Sequence, residues 1–194
     1  LLNRENLMEI IRSLEMIHSC HTSEECSEFD INANYIKKVE ERFDRHDYSK
    51  FPSSEKIYSD IVARLQEYCD SETPLACVIH GDPVFSNIML MGDGSVKFID
   101  MRGKLGGILS LRGDKWYDFA KLYQSLDGYD EILNGSSVNI DYKEDLISVF
   151  KQYIDEKYSP EIFSWIKVIK DSLIFSLLPL HPENKAKLYF KLLS

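Results

Sequence analysis

Apolar residues recur with helical spacing in the first part of the chain. In residues 3–19 they fall every three or four positions, which predicts an amphipathic helix. Its apolar face consists of Leu7, Ile10, Ile11, Leu14 and Ile17. Residues 19–28 are polar and predict a loop. Two further helices are predicted, one after a candidate N-cap at Asn34 and one beginning at Pro52-Ser53-Ser54.

The pattern changes after Pro74, where short apolar runs replace the helical periodicity. Runs at 75–79, 88–91 and 96–99 have the length of strands. The turn sequence Gly-Asp-Gly-Ser separates the second run from the third, so these two runs predict a β-hairpin. The glycines that follow the hairpin predict a loop, and they are Gly103, Gly106 and Gly107.

Helical spacing returns near Asp114 and continues to Gly128, a residue type that often follows the C-terminus of a helix. Three more helices are predicted: one opening with the capping-box pattern Asp141-x-x-Glu144, one from Pro160 to Leu177, and a short one from Pro182. The pattern therefore predicts a mostly helical α+β fold with a small β-hairpin insertion. A length of 194 residues is typical of one domain, which we expect to comprise residues 1–194.

Composition and charge disfavour several classes of function. The 23 basic and 32 acidic residues give a net charge of −9, whereas non-specific nucleic-acid binding needs clustered positive charge. The longest apolar run, 173–180, is too short to span a membrane. The four cysteines include no CxxC pair and are typical of reduced thiols in a cytoplasmic protein. His18, Cys20, His21 and Cys26 lack the tight pairing of zinc ligands, so a helix end that runs into a polar loop is favoured.

Candidate chemistry is concentrated around the predicted hairpin. Asp82 and Asn87 lie five residues apart in the loop that precedes it, and Asp100 follows its second strand. A carboxylate and an amide at this spacing can point to one spot, and the returning chain can bring the second carboxylate there. Carboxylate and amide oxygens suit Mg²⁺, which is usually bound through one or two carboxylates together with phosphate oxygens and water.

The sequence His-x-Asp-x4-Asn, followed by Ile-Asp at 99–100, resembles the catalytic core shared by protein kinases and the aminoglycoside phosphotransferase and choline kinase group. Gly81 takes the place of the arginine of protein kinases, as in the aminoglycoside phosphotransferase branch. The later Gly-Asp-x-x-Tyr-Asp-Phe-Ala segment at 113–120 is similar to that branch as well. These motifs cover residues 75–123, and the resemblance implies the large, C-terminal lobe of a protein-kinase-like fold.

The resemblance also implies a role for each matching residue. Asp82 would orient the acceptor hydroxyl and accept its proton. Asn87 and Asp100 would hold Mg²⁺ against the phosphates of ATP or GTP. His80 would brace the loop, and Asp118 would be a buried acid at a helix start that hydrogen-bonds the backbone of the catalytic loop. The implied activity is Mg²⁺-dependent transfer of a γ-phosphoryl group to a hydroxyl of a small molecule.

Two residues leave alternatives open. Arg102 stands two residues after Asp100, where many relatives have an acid, and we group it with the cofactor-binding residues. It could hold a phosphate or an anionic substrate, or it could pair with an acid such as Asp118. Asp114 could contribute to the site, although capping its own helix is the favoured interpretation.

The acceptor is not fixed by the sequence. The acidic net charge favours a cationic acceptor such as an aminoglycoside or choline, whereas Arg102 and Lys104 favour a sugar or an anionic metabolite. A non-catalytic scaffold module with a kinase fold, and a metal-dependent hydrolase that uses the same oxygen ligands, are the alternative functions.

No Gly-rich phosphate loop and no Val-Ala-x-Lys strand precede His80, and the chain begins with leucine. We therefore expect a C-terminal catalytic lobe that lacks its nucleotide-binding lobe and has no kinase activity alone. Its exposed lobe interface is expected to be apolar and prone to self-association.

Overall fold

The computed structural model describes residues 2–21, 30, 34–137 and 139–193. Within these ranges the helices are α1 (Arg4–His18), α2 (Ile36–Arg45), α3 (Ser54–Asp70), α4 (Lys115–Leu126), α5 (Tyr129–Asn134), α6 (Ile140–Lys157), α7 (Pro160–Leu177) and α8 (Glu183–Phe190). The strands are β1 (Ala76–Val78), β2 (Ile88–Leu90), β3 (Val96–Phe98), β4 (Lys104–Leu105), β5 (Ile108–Leu109) and β6 (Arg112–Asp114). Most of the predicted polar loop, with Cys26, lies outside the described residues.

Helix α7 lies at the centre of the helical core, and most of its residues from Phe163 to Ser176 are buried, the majority of them apolar. It packs against α4, α6, α3 and α2. Ile166, Ile169 and Phe175 are completely buried, and Phe175 stacks on the ring of Tyr48 with 4.6 Å between ring centroids. The core is therefore built from helices, and the strands lie beside it. None of the helices in the described ranges has the length and apolar content of a membrane span.

The small sheets are all antiparallel and two-stranded in the described part of the chain. The predicted hairpin is confirmed as β2 and β3, with Ile88 opposite Phe98. The first predicted strand is also confirmed, but it pairs with β6, which the sequence pattern did not indicate. The glycine-rich segment is not only a loop, because β4 and β5 form a second short hairpin there. The mostly helical α+β class is thus confirmed.

Two predicted helix caps are wrong. Asn34 does not cap α2, since Tyr35 occupies the N-cap position and the Asn34 side chain accepts a hydrogen bond from the backbone of Gly106. Helix α6 is capped by Asn139, whose side chain accepts from the Tyr142 N–H, so the Asp141 pattern lies inside the helix. At α6 a nearby polar residue has the extended backbone that a cap requires, whereas the side chain of Tyr35 forms no cap hydrogen bond at α2.

Asp114 joins the elements that lead into the segment after β1. As predicted it caps α4, accepting a hydrogen bond from the Trp116 N–H. Its carboxylate also accepts hydrogen bonds from the hydroxyls of Tyr35 and Tyr68 and from the backbone N–H of Leu75. The group is buried, and one carboxylate therefore fixes the start of α4 relative to α2, α3 and the approach to β1.

Candidate active site

The segment after β1 is held in place by the buried carboxylate of Asp118. Its Oδ2 accepts a hydrogen bond from the His80 N–H and its Oδ1 accepts one from the Gly81 N–H, both at 2.8 Å. His18 Nε2, at the end of α1, lies 3.1 Å from Oδ2. Asp118 is 0% exposed, so these bonds form away from water, where an unpaired carboxylate would be costly. The start of the loop is therefore fixed to the first turn of α4.

The ring of His80 connects the loop to the chain that leaves the hairpin. Its Nδ1 accepts a hydrogen bond from the Asp82 N–H at 3.3 Å, and its Nε2 lies 3.0 Å from the carbonyl oxygen of Ile99. These partners require the neutral tautomer with the proton on Nε2, which donates to Ile99. The Arg102 N–H donates to the His80 carbonyl at 2.9 Å. His80 thus bridges the segments that carry Asp82 and Asp100.

The β2–β3 register places Asn87 next to the segment containing Asp100. The Ile99 N–H donates to the Asn87 carbonyl at 3.0 Å, one position beyond the Ile88–Phe98 pair. The Asn87 side-chain amide donates through Nδ2 to the Asp82 carbonyl at 2.9 Å, which leaves its Oδ1 available as a ligand. Asp100 is exposed and has a positive φ of 61°, a conformation that Asp tolerates better than most residues.

Asp82 is paired with a lysine that the sequence analysis did not single out. Lys121 Nζ, on α4, lies 3.0 Å from Asp82 Oδ1. Burial lowers the pKa of Lys121, but Tyr117 and Asp82 outweigh this effect and raise it above its usual value. Lys121 therefore stays protonated, and the Asp82 side chain remains 41% exposed to a molecule that approaches from solvent.

Arg102 contacts Tyr117 instead of an acid. Its Nη1 lies 2.6 Å from the Tyr117 hydroxyl, and its guanidinium carbon is 5.7 Å from the centroid of that ring. No ion pair with Asp118 or another carboxylate forms among the described residues, so the alternative of a pair with Asp118 is wrong. Gly81 permits this arrangement, because it has φ +83° and a Cβ there would lie 2.7 Å from Arg102 Cβ.

Tyr117 is a buried phenol surrounded by cations. Burial raises its pKa, but Lys38, Lys121 and Arg102 lower it more, to about 8. The pKa of Lys38 is itself lowered, since burial and the neighbouring positive charges outweigh the attraction of Tyr117. Lys121 follows Tyr117 by four residues on α4, and this spacing alone could have suggested a shared face. Nothing in the sequence could have brought Lys38 or His18 to this site.

The residues at the hairpin fit a magnesium site completed by other ligands. Asn87 Oδ1 and the exposed carboxylate of Asp100 are hard oxygen donors. Within the described ranges no three His, Cys, Asp or Glu side chains come together as a metal site. Mg²⁺ would therefore take its remaining ligands from phosphate oxygens and water, as it does in many nucleotide sites.

Several large apolar side chains are exposed beside these residues. Met89 and Leu90 on β2 are 47% and 42% exposed, and Ile99 and Met101, on either side of Asp100, are 46% and 42% exposed. Isolated exposed apolar residues are common, whereas a group of them next to polar functional residues is typical of a binding surface.

Comparisons with known proteins support the fold. No protein-family model and no curated protein matches the chain. Among solved structures, an ethanolamine kinase from Plasmodium vivax has a similar fold, with a TM-score of 0.57 and 14% sequence identity. The likeness covers 97% of this chain and 58% of that kinase, so this chain spans little more than half its length. The chain therefore has a kinase-like fold.

Proposed function

We propose that this chain is the catalytic lobe of a small-molecule kinase, which transfers the γ-phosphoryl group of ATP or GTP to a hydroxyl group. The observation that carries the proposal is the network of backbone and side-chain hydrogen bonds that holds the segments of Asp82, Asn87 and Asp100 together. The fold shared with an ethanolamine kinase supports it.

In the proposed reaction the exposed carboxylate of Asp82 binds the acceptor hydroxyl. As the acceptor oxygen forms its bond to the γ-phosphorus, the bond to the β–γ bridging oxygen breaks and the hydroxyl proton passes to Asp82. The ion pair with Lys121 orients the Asp82 carboxylate. Asn87 and Asp100 would hold Mg²⁺, which supplies positive charge to the phosphate oxygens when it is bound.

A second, nucleotide-binding lobe is part of this proposal. We propose that it covers the exposed apolar residues around the hairpin and supplies the phosphate-binding groups for which residues 1–79 have no motif. The 194-residue chain alone would then have no kinase activity and would self-associate through this surface.

The first test replaces Asp82 in the full-length natural protein, in an assay of nucleotide consumption over hydroxylated metabolites. Asp82→Asn is expected to lower turnover ~10²–10⁴-fold, the usual contribution of a positioned base, without changing MgATP affinity. The matched control is Ser86→Ala, which changes an exposed side chain of the same loop. Near-normal turnover of Asp82→Asn, or turnover that needs no nucleotide, would contradict the mechanism.

The second test concerns the metal ligands. Asp100→Ala is expected to abolish Mg²⁺-dependent nucleotide binding in calorimetry, because it removes the charged ligand of the proposed site. Asn87→Ala is expected to have a smaller effect, since an amide oxygen carries no formal charge. Normal MgATP binding by Asp100→Ala would refute the assignment.

A further inference from the structure

Three cations lie around the hydroxyl of Tyr117, and one of them, Lys121, contacts the carboxylate of Asp82. Tyr117 and Lys121 lie one turn apart on α4, where Lys121 contacts Asp82 and Tyr117 contacts Arg102. The first turn of α2 lies close to Tyr117, since the ring centroids of Tyr35 and Tyr117 are 6.0 Å apart. Lys38 follows Tyr35 by three residues on this turn. Lys38 is close enough to interact electrostatically with the other members of the group.

This group, which we call the basic cluster, consists of Lys38, Arg102 and Lys121. Its positive charge is compensated only in part. Lys121 is paired with Asp82, whereas Arg102 contacts a phenol, and neither Arg102 nor Lys38 forms an ion pair with a carboxylate among the described residues. Lys38 and Lys121 are partly buried, and partly buried cations need an anion or several acceptors to offset their loss of water. The basic cluster thus has the chemistry of an incomplete anion site.

The basic cluster is also accessible from solvent. Arg102 is exposed and the Lys121 side chain keeps 16% of its exposed area, next to the partly exposed Asp82. Within the described residues the basic cluster forms an ion pair with Asp82 and none with Asp100. The positive charge of Lys121 therefore lies at Asp82, the residue proposed to bind the acceptor hydroxyl.

We propose that the basic cluster binds an anionic group of the acceptor, so that the substrate is a hydroxyl compound that also carries a phosphate or carboxylate. This rests on the proposed kinase function. The acidic net charge of −9 favours a cationic acceptor, but Lys121 brings positive charge to Asp82 and adjoins the other cations around Tyr117, and local charge decides binding. Arginine and lysine are the usual partners of such oxyanions.

Tyr117 provides a direct readout that requires no turnover. The 194-residue protein is titrated with alkali while tyrosinate absorbance is followed, and Tyr117→Phe should remove a component with a pKa of about 8. Inorganic phosphate should move this component to higher pH, because a bound anion offsets the cations that favour tyrosinate. Phosphate that leaves the Tyr117 component unchanged would overturn the proposal.

Variants then locate the bound phosphate. Lys38→Gln and Lys121→Gln should each weaken phosphate binding by about 10-fold or more, the effect of losing one charge-assisted hydrogen bond. Lys37→Gln is the matched control, because Lys37 is exposed on α2, the helix that carries Lys38. This substitution is expected to leave phosphate affinity unchanged. Equal affinity in all three variants would overturn the proposal.

Two further experiments distinguish an anion of the acceptor from the phosphates of the nucleotide. Phosphate should still bind when MgATP is present, whereas displacement by MgATP would assign the basic cluster to the nucleotide and overturn the acceptor proposal. In the full-length protein, a phosphorylated sugar should be used at least about 10-fold more efficiently than the same sugar without phosphate. Exclusive use of amino alcohols would refute the anionic acceptor but leave the kinase function standing. Phosphate binding without any transfer would refute the kinase function instead.

Discussion

Replacing Asp118 by asparagine tests how the loop at 80–87 is held. The wild-type carboxylate accepts hydrogen bonds from His80 N–H and Gly81 N–H on different oxygens, and His18 Nε2 lies within hydrogen-bonding distance of one of them. An asparagine side chain has one acceptor oxygen, and its NH₂ group would face a backbone donor at the other position. At least one buried backbone N–H therefore loses its partner in Asp118→Asn.

The expected cost follows from these contacts. An unpaired buried N–H costs ~1–3 kcal/mol, and the loss of charge weakens the remaining hydrogen bonds by about 1 kcal/mol each. The sum, about 3–5 kcal/mol, is a large part of the ~5–15 kcal/mol that stabilises a typical domain. For a domain of this size it corresponds to a decrease in Tm of ~6–20 °C.

Urea unfolding and amide hydrogen exchange of Gly81 would measure the effect. The free energy of unfolding should fall by the amount above, and the Gly81 amide should lose protection. Asp93→Asn is the control, because Asp93 also accepts a backbone hydrogen bond but lies exposed in the hairpin turn. A change below about 1 kcal/mol in Asp118→Asn, with Gly81 still protected, would show that Asp118 does not hold the loop.

Two other changes test contacts in the loop at 80–87 and between α1 and the C-terminal end of α6. Gly81→Ala should lower the free energy of unfolding by about 2–4 kcal/mol and move Arg102, because the residue has a positive φ and its new Cβ would lie 2.7 Å from Arg102 Cβ. Urea unfolding measures the change. Gly92→Ala is the control, because no heavy atom lies within 4 Å of a Cβ added there. Burial raises the pKa of Glu15, but its hydrogen bonds, first that from Lys157, outweigh burial and hold the pKa below 4.5. Its ionised form therefore stabilises the fold above pH 4.5, and this contribution disappears as the pH falls through the lowered pKa. In Glu15→Gln the free energy of unfolding should therefore vary less with pH in this acidic range. An unchanged pH profile would show that Glu15 does not contribute in this way.

Much of the local structure could be predicted because it depends on neighbours in sequence. The helical face of α1, the hairpin at 88–98 and the cap at Asp114 all follow from spacing and residue type. The candidate site residues Asp82, Asn87 and Asp100 were found in the same way, since a loop and a tight hairpin bring them together with few intervening residues. Such contacts require little more than correct local geometry.

Contacts between distant segments could not be predicted in this way. The pairing of β1 with β6 and the position of Lys38 beside Tyr117 depend on how α2, α4 and the core pack. Periodicity identifies which face of a helix is buried but does not identify its partner, and the wrong cap at Asn34 has the same origin.

The sequence by itself determined the helical class, the hairpin and the order of acidic and amide groups around it. Only the tertiary structure decided what surrounds Asp82. It paired that carboxylate with Lys121, directed Arg102 to Tyr117 and committed Asp118 to the backbone of the loop. The physical reason is that the energy of a charged group depends on the burial and neighbouring charges that folding creates, and these are properties of the packed molecule.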